Sequence, residues 1–244
     1  MAWFFTEEKI FDNIINLNNE QCTHIIKSLR MKIGEELTVC SVDEKLYNCK
    51  IKDIDIKNNK VCLDVVSVEE SNQEPTTRVT LYQALTKGDK MDYIIQKSVE
   101  LGVFNIVPII TNRCVSRPDS KTLNKKKIRW QKISQGAAQQ SRRGLIPKIE
   151  TPLFLDKVIE ELSQYDKVIV FYECGGDSIK NIICKEDKNI AVIIGSEGGF
   201  EETEIASIEN ACGKRATLGK RILRAETAPI VAMSLIMYQT GNME

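Results

Sequence analysis

Apolar and polar positions follow two rhythms along this chain, and the rhythm changes once. Residues 19–30 carry apolar spacing that fits one short helix. After them, strand-like runs recur at 36–42, 46–51 and 61–68, with turn-forming residues at 32–35 and 57–60 between them. That pattern predicts a small antiparallel barrel. Residues 69–77 (EESNQEPTT) are polar, aperiodic and contain a proline, which reads as a linker. Beyond it, strands alternate with helices. Residues 79–85 read as a strand, and Met91, Ile94, Ile95, Ser98 and Leu101 fall at helical spacing, with Gly102 placed to end that helix. Strands are expected at 103–110, 167–172, 190–194 and 216–218, and a basic helix at 121–141. Such alternation implies an α/β domain built on a mostly parallel sheet with both faces covered. The expected division is residues 1–72 and 73–244.

Composition narrows the class. At 244 residues, with 42% hydrophobic and 28% charged positions, the chain has the make-up of an ordinary water-soluble protein. No apolar run approaches the roughly 20 residues that span a bilayer. The opening MAWFFTEEKI lacks a basic region followed by an apolar core, so a cytoplasmic location without membrane attachment is expected. Eight cysteines are scattered with no CxxC pair and His24 is the single histidine, so no metal site is expected. The cysteines read as reduced thiols, and His24 as a packing or capping residue.

The net charge of zero conceals a local excess. Residues 1–72 carry 9 Lys/Arg against 13 Asp/Glu, residues 73–150 carry 15 against 6, and residues 151–244 carry 10 against 15. A middle segment of +9 between two acidic ones is the footprint of a polyanion-binding face. Arg113, Arg117, Gln140, Arg142 and Arg143 are the candidate phosphate contacts, whereas Lys125 to Lys127 read as a solvated helix face.

The loops limit the chemistry. Neither G-x-x-x-x-G-K-[ST], nor G-x-G-x-x-G after a first strand, nor G-x-S-x-G occurs. Instead, Gly195-Ser196-Glu197-Gly198-Gly199 follows one strand, and Gly219-Lys220-Arg221-Ile222-Leu223-Arg224 follows the next. Open α/β sheets bind ligands at such carboxyl ends. Each glycine alone is explained by a turn or a cap. Together they suggest a pocket for a bulky cosubstrate whose group is transferred, the protein supplying position and charge.

Four segments carry a family resemblance: His24 to Arg30 with Gly34; Ala84 to Met91 continuing through Gln96 to Val103; Gly195 to Phe200; and Leu218 to Ala228. The chain resembles the SPOUT-class methyltransferases, and within them the bacterial 16S ribosomal RNA uridine-N3 methyltransferases. It departs from the family pattern in having Ser28 where valine is usual, Ser196 where proline is usual, and Gln139-Gln140-Ser141-Arg142-Arg143 where E-Q-S-G-R is usual. The resemblance implies an N-terminal PUA-like β-barrel joined to an α/β domain with a deep trefoil knot at about 168–234. It also implies S-adenosylmethionine as cofactor, 16S RNA within the 30S subunit as substrate, and a homodimer. Its pocket falls on Phe171, Tyr172, Ile194, Gly195, Ser196, Glu197, Gly199, Leu218, Gly219, Ile222, Leu223 and Thr227. Catalytic roles fall on Arg221, Arg224 and Glu226, with Arg224 and Glu226 alternatively pairing to brace the knot. Arg30 joins the RNA-contacting set. The same pocket also suits an enzyme of another rRNA or tRNA site, and the fold suits a non-catalytic ribosome-assembly factor. The last helix presents Ile230, Val231, Ser234, Leu235 and Tyr238 as an interface, or else as core.

Overall fold

The computed structural model describes residues 2–6, 10, 13–17 and 19–243. They form two compact units: residues 1–74 with 138–145, and residues 75–137 with 146–244. The first unit is therefore discontinuous, and a single division at 72/73 leaves out a segment that belongs to it.

In the first unit, strands β1 (Ala2–Phe5), β2 (Ile14–Asn16), β3 (Glu36–Cys40), β4 (Lys45–Asp55) and β5 (Lys60–Glu70) form one sheet in the order β1-β3-β4-β5-β2. Its ladders are antiparallel except that β1 runs parallel to β3. Neither β1 nor β2 is visible as a periodic run, because each is only three or four residues long. The parallel β1–β3 ladder corrects the all-antiparallel expectation. The helix expected at 19–30 is α1 (Asn19–Thr23) followed by a π-helical turn, His24–Leu29, closed by Arg30 in the left-handed region at φ 53°. His24 packs edge-on against Phe4, ring centroids 5.9 Å apart, and so serves packing. The core gathers Phe4, Cys22, Ile25, Leu37, Val39, Cys49, Ile51 and Leu63.

The stretch 69–77 is not a free linker. Glu69 and Glu70 end β5, and the Ser71 N–H donates to the Glu44 carbonyl. Glu74 Oε1 accepts the Gly144 N–H at 2.8 Å and the Arg143 Nε–H at 3.2 Å. A polar stretch can equally be polar because its groups are used in such bonds.

The second unit is built on an eight-stranded sheet. Its strands are β6 (Arg78–Ala84), β7 (Asn105–Ile110), β8 (Lys148–Ile149), β9 (Leu153–Phe154), β10 (Lys167–Phe171), β11 (Asp177–Ser178), β12 (Asn189–Ile194) and β13 (Lys214–Thr217). The order is β11-β13-β10-β12-β6-β7-β8, with β9 also on β7, and every ladder is parallel. The central strands are near-continuous apolar runs, Val168–Phe171 and Ile190–Ile194 buried throughout, as a sheet covered on both faces requires. Helices α2 (Lys90–Glu100), α3 (Ser120–Gln140), α4 (Leu155–Glu161), α5 (Glu202–Asn210) and α6 (Ala228–Gln239) complete the fold. α3 is the expected basic helix, and Gly102, at φ 90°, follows α2. Pro229, Ala232, Met233, Ile236 and Met237 are the buried face of α6. On its other face Leu235 and Tyr238 are exposed, and Ile230, Val231 and Ser234 half-buried. Among the described residues no helix is long and apolar enough to cross a membrane.

Candidate active site

The carboxyl ends of β10, β12 and β13, with the start of α2 beyond β6, converge on one cavity of about 510 Å³. Its size lies within the range of small-molecule sites. Three loops make the walls. The loop after β10 brings Phe171, Tyr172 and Glu173, and that after β12 brings Ile194 to Gly199. The segment after β13 brings Thr217 to Ala225, with Ala228 at the head of α6.

The β12 loop is folded tightly. Ser196 and Gly199 form an isolated bridge, the Gly199 N–H donates to the Ser196 carbonyl at 3.0 Å, and Ser196 Oγ donates to the Arg113 carbonyl at 3.3 Å. Gly199 takes φ 66°, and a Cβ there would sit 2.3 Å from Glu173 Oε1. A side chain at Gly198 would meet the Arg113 carbonyl oxygen at 2.9 Å. Both glycines are thus required by close approach as well as by the turn.

Expected pocket residues are brought together here. Phe171, Tyr172, Ile194, Gly195, Ser196, Glu197, Gly199, Leu218, Gly219, Ile222 and Leu223 all line the cavity, as do Arg221 and Arg224. Thr227 and Glu226 do not. The Thr227 N–H instead donates to the Arg224 carbonyl at 2.9 Å in the turn that opens α6. Ile222 is 83% exposed, so it stands at the cavity's mouth with one side in solvent. Tyr172 commits its hydroxyl to Glu202 Oε2 at 3.0 Å beneath the Arg215 guanidinium, which lies 5.2 Å from the ring. Those bonds hold the Glu202 carboxyl below its ordinary range, chiefly through the Tyr172 hydroxyl.

Glu226 does not pair with Arg224. Its Oε2 lies 3.3 Å from Lys90 Nζ, and Lys90 also binds Glu197 Oε1 at 2.9 Å. Burial opposes charge on Glu197, but the Lys90 hydrogen bond and the Lys87 N–H outweigh it and hold the carboxyl below its ordinary range. Lys90 in turn is pushed above the usual lysine range, first by Glu197. Gly198, one of the expected loop glycines, lines the cavity too, and Lys90, Glu173, Thr217, Lys220, Ala225 and Ala228 do so without having been named as pocket residues. Lys90, Lys220, Ala225 and Ala228 lie inside the segments that carry the family resemblance, while Glu173 directly follows an expected strand and Thr217 lies within one.

The candidate RNA residues separate by availability. Arg142, Gln140 and Arg30 are exposed. Arg113 is exposed, with one Nη on the Gly198 carbonyl at 3.3 Å. Arg117 donates to the carbonyls of Thr111, Asn112 and Cys114, which leaves it fastening its own loop. Arg143 is corrected: its side chain is 5% exposed and ion-paired with Glu74, while its carbonyl accepts the Trp3 Nε1–H at 3.0 Å. It braces the first unit and is not free to meet a phosphate.

A glycine-cradled cavity at the carboxyl ends of parallel strands is where α/β proteins hold a ligand or cosubstrate. Residues 72–237 match the family model of the RNA methyltransferase domain, and residues 17–62 that of the RNA methyltransferase PUA domain. The chain is 33% identical over 232 residues to Ribosomal RNA small subunit methyltransferase E of Bacillus subtilis, covering 92% of this chain and 90% of the relative. To the protein of the same name from Mesomycoplasma hyopneumoniae it is 35% identical, covering 96% and 98%. The fold matches a putative methyltransferase from Legionella pneumophila solved with bound S-adenosylmethionine, with a TM-score of 0.89 and 31% identity over 97% of both chains. The chain belongs to the family of the ribosomal RNA small subunit methyltransferase E proteins.

Proposed function

We propose that this chain transfers a methyl group from S-adenosylmethionine to N3 of a specific uridine in 16S RNA on the small ribosomal subunit, in the cytoplasm. The observation that carries the reading is the cavity at the ends of β10, β12 and β13 with Arg221 and Arg224 in its wall, in a chain of this family. A structure of the family protein from Neisseria gonorrhoeae bound to S-adenosylmethionine, with a TM-score of 0.88 and 27% identity, supports the choice of cofactor. The residues present fit it. Gly198 and Gly199 leave room for close main-chain approach, Leu218 and Leu223 offer apolar faces, and Glu173 and Glu197 suit a cationic ligand. Phe171, Tyr172, Ile194, Gly195, Ser196, Gly219 and Ile222 complete the binding surface. The bound cofactor supplies a methyl group on a sulfonium cation.

Other demands fall on the chain. The uracil N3 holds a weakly acidic imide proton that must leave before its electron pair can attack. In this reading Arg221 and Arg224, in the cavity wall, stabilise the charge that develops on the base oxygens, and Glu226, beside the cavity, accepts the proton. RNA docking rests on Arg30, Arg113, Gln140 and Arg142, which are exposed. We assign a PUA-like domain to the first unit and a SPOUT domain to the second. A trefoil knot at 168–234 is supported by the chain's route: it leaves β13 on the far side of β10 and returns to pack α6 against β12 and α2. The uncovered face of α6 suits a homodimer.

The test is methyl transfer to small subunits from a strain lacking this gene, read by mass spectrometry of the 16S RNA, with calorimetry for S-adenosylmethionine. One methyluridine gained in 16S RNA is expected. Binding without transfer to any RNA would favour an assembly factor, and a mark elsewhere would move the target.

A further inference from the structure

Lys90 joins groups from three separate segments at the cavity's edge. It opens α2, and its Nζ reaches Glu197 Oε1 on the β12 loop at 2.9 Å and Glu226 Oε2 ahead of α6 at 3.3 Å. The Lys87 N–H also donates to Glu197 Oε1, at 3.2 Å. All three side chains are at most one-third exposed. Glu226 Oε2 is buried beside the Lys90 ammonium, while the side chain as a whole is 21% exposed.

With Oε2 facing the ammonium, the carboxylate's other oxygen can accept from a ligand N–H. The uracil imide N–H is such a donor. We propose that Lys90 is a positioning residue for methyl transfer, clamping Glu226 beside the cavity as the acceptor of the N3 proton and tying it to Glu197 on the cofactor loop. This rests on the methyltransferase reading above. The proton passes from N3 to the Glu226 carboxylate, the N3 electron pair forms the new N–C bond, and the pair of the broken C–S bond stays with the donor's sulfur. The charged groups around the clamp are Lys87 and Lys90 on the α2 side, Glu173 after β10 and Glu197 after β12, with Lys220, Arg221 and Arg224 after β13. Of these cations, Lys90 is the one within ion-pair distance of Glu226 among the described residues.

Removing that ammonium frees the Glu226 carboxyl from its place beside the cavity, and a guanidinium at the same position can hold it again. The experiment compares Lys90→Met, Lys90→Arg and wild type for methyl transfer to unmethylated small subunits, with calorimetry for S-adenosylmethionine as the folding check. Lys90→Met should lose about 100-fold in kcat with KM for the subunit unchanged. Lys90→Arg should restore most of the rate. A Lys90→Met variant that keeps the wild-type kcat, or a loss that Lys90→Arg does not repair, overturns the clamp while leaving the methyltransferase reading intact; an inactive wild type overturns both. Should Lys90→Met not fold, Glu226→Gln replaces it: transfer at the wild-type rate by that variant overturns the proposal, and a loss of about 100-fold with cofactor binding retained supports it.

Discussion

Arg143 and Arg224 both lie in motifs rich in basic residues, yet the first has a side chain only 5% exposed and paired to Glu74, while the second stands exposed in the cavity wall with no ion pair among the described residues. A buried, fully bonded guanidinium holds structure together, and removing one partner strands a charge in a poor solvent. An exposed and unpaired one has its donors free for a ligand. Residue type alone ranks these two arginines alike. Their surroundings separate them.

That contrast can be broken by substitution. Arg143→Met should cost about 3–5 kcal/mol of stability by leaving the Glu74 carboxylate unpaired, read as a lower midpoint in urea. A loss under about 0.5 kcal/mol would mean that the brace is dispensable. Arg224→Ala should lower kcat by about 100- to 1,000-fold with S-adenosylmethionine binding retained. Full activity in it would remove Arg224 from the mechanism. Arg142→Ala, one residue from Arg143 but exposed, should leave stability within about 0.5 kcal/mol of wild type and reduce the salt slope of RNA binding by about 1. A flat salt response in the wild-type chain would argue against phosphate-led docking. The smallest effect concerns thiols. Burial pushes Cys40 and Cys49 up to about 12, so in the folded protein Cys174, Cys184 and Cys212 should be alkylated first, without loss of fold.

The cavity was legible because its parts are local. Gly195 to Gly199 and Gly219 to Arg224 each announce a turn after an apolar run, and strand ends in a parallel sheet bring such turns together. What stayed hidden depends on distance in the chain. Nothing near Lys90 points to Glu197 or Glu226, more than a hundred positions away, and nothing in 69–77 points to Arg143. Strands β8, β9 and β11, each two residues long, are too short for any period to show. Glu226 was expected to act alone or with Arg224, because those two are neighbours in sequence. Its partner proved to be Lys90 at the head of another helix.

The return of residues 138–145 to the first unit sets an order of events during synthesis. When the first 74 residues have left the ribosome, Glu74 has neither Arg143 nor the Gly144 amide to bind, and Trp3 lacks the carbonyl that receives its indole N–H. The first unit reaches its finished form only after α3 has been made. A chain released before residue 145 would carry its early strands with an acidic group still waiting for its partner.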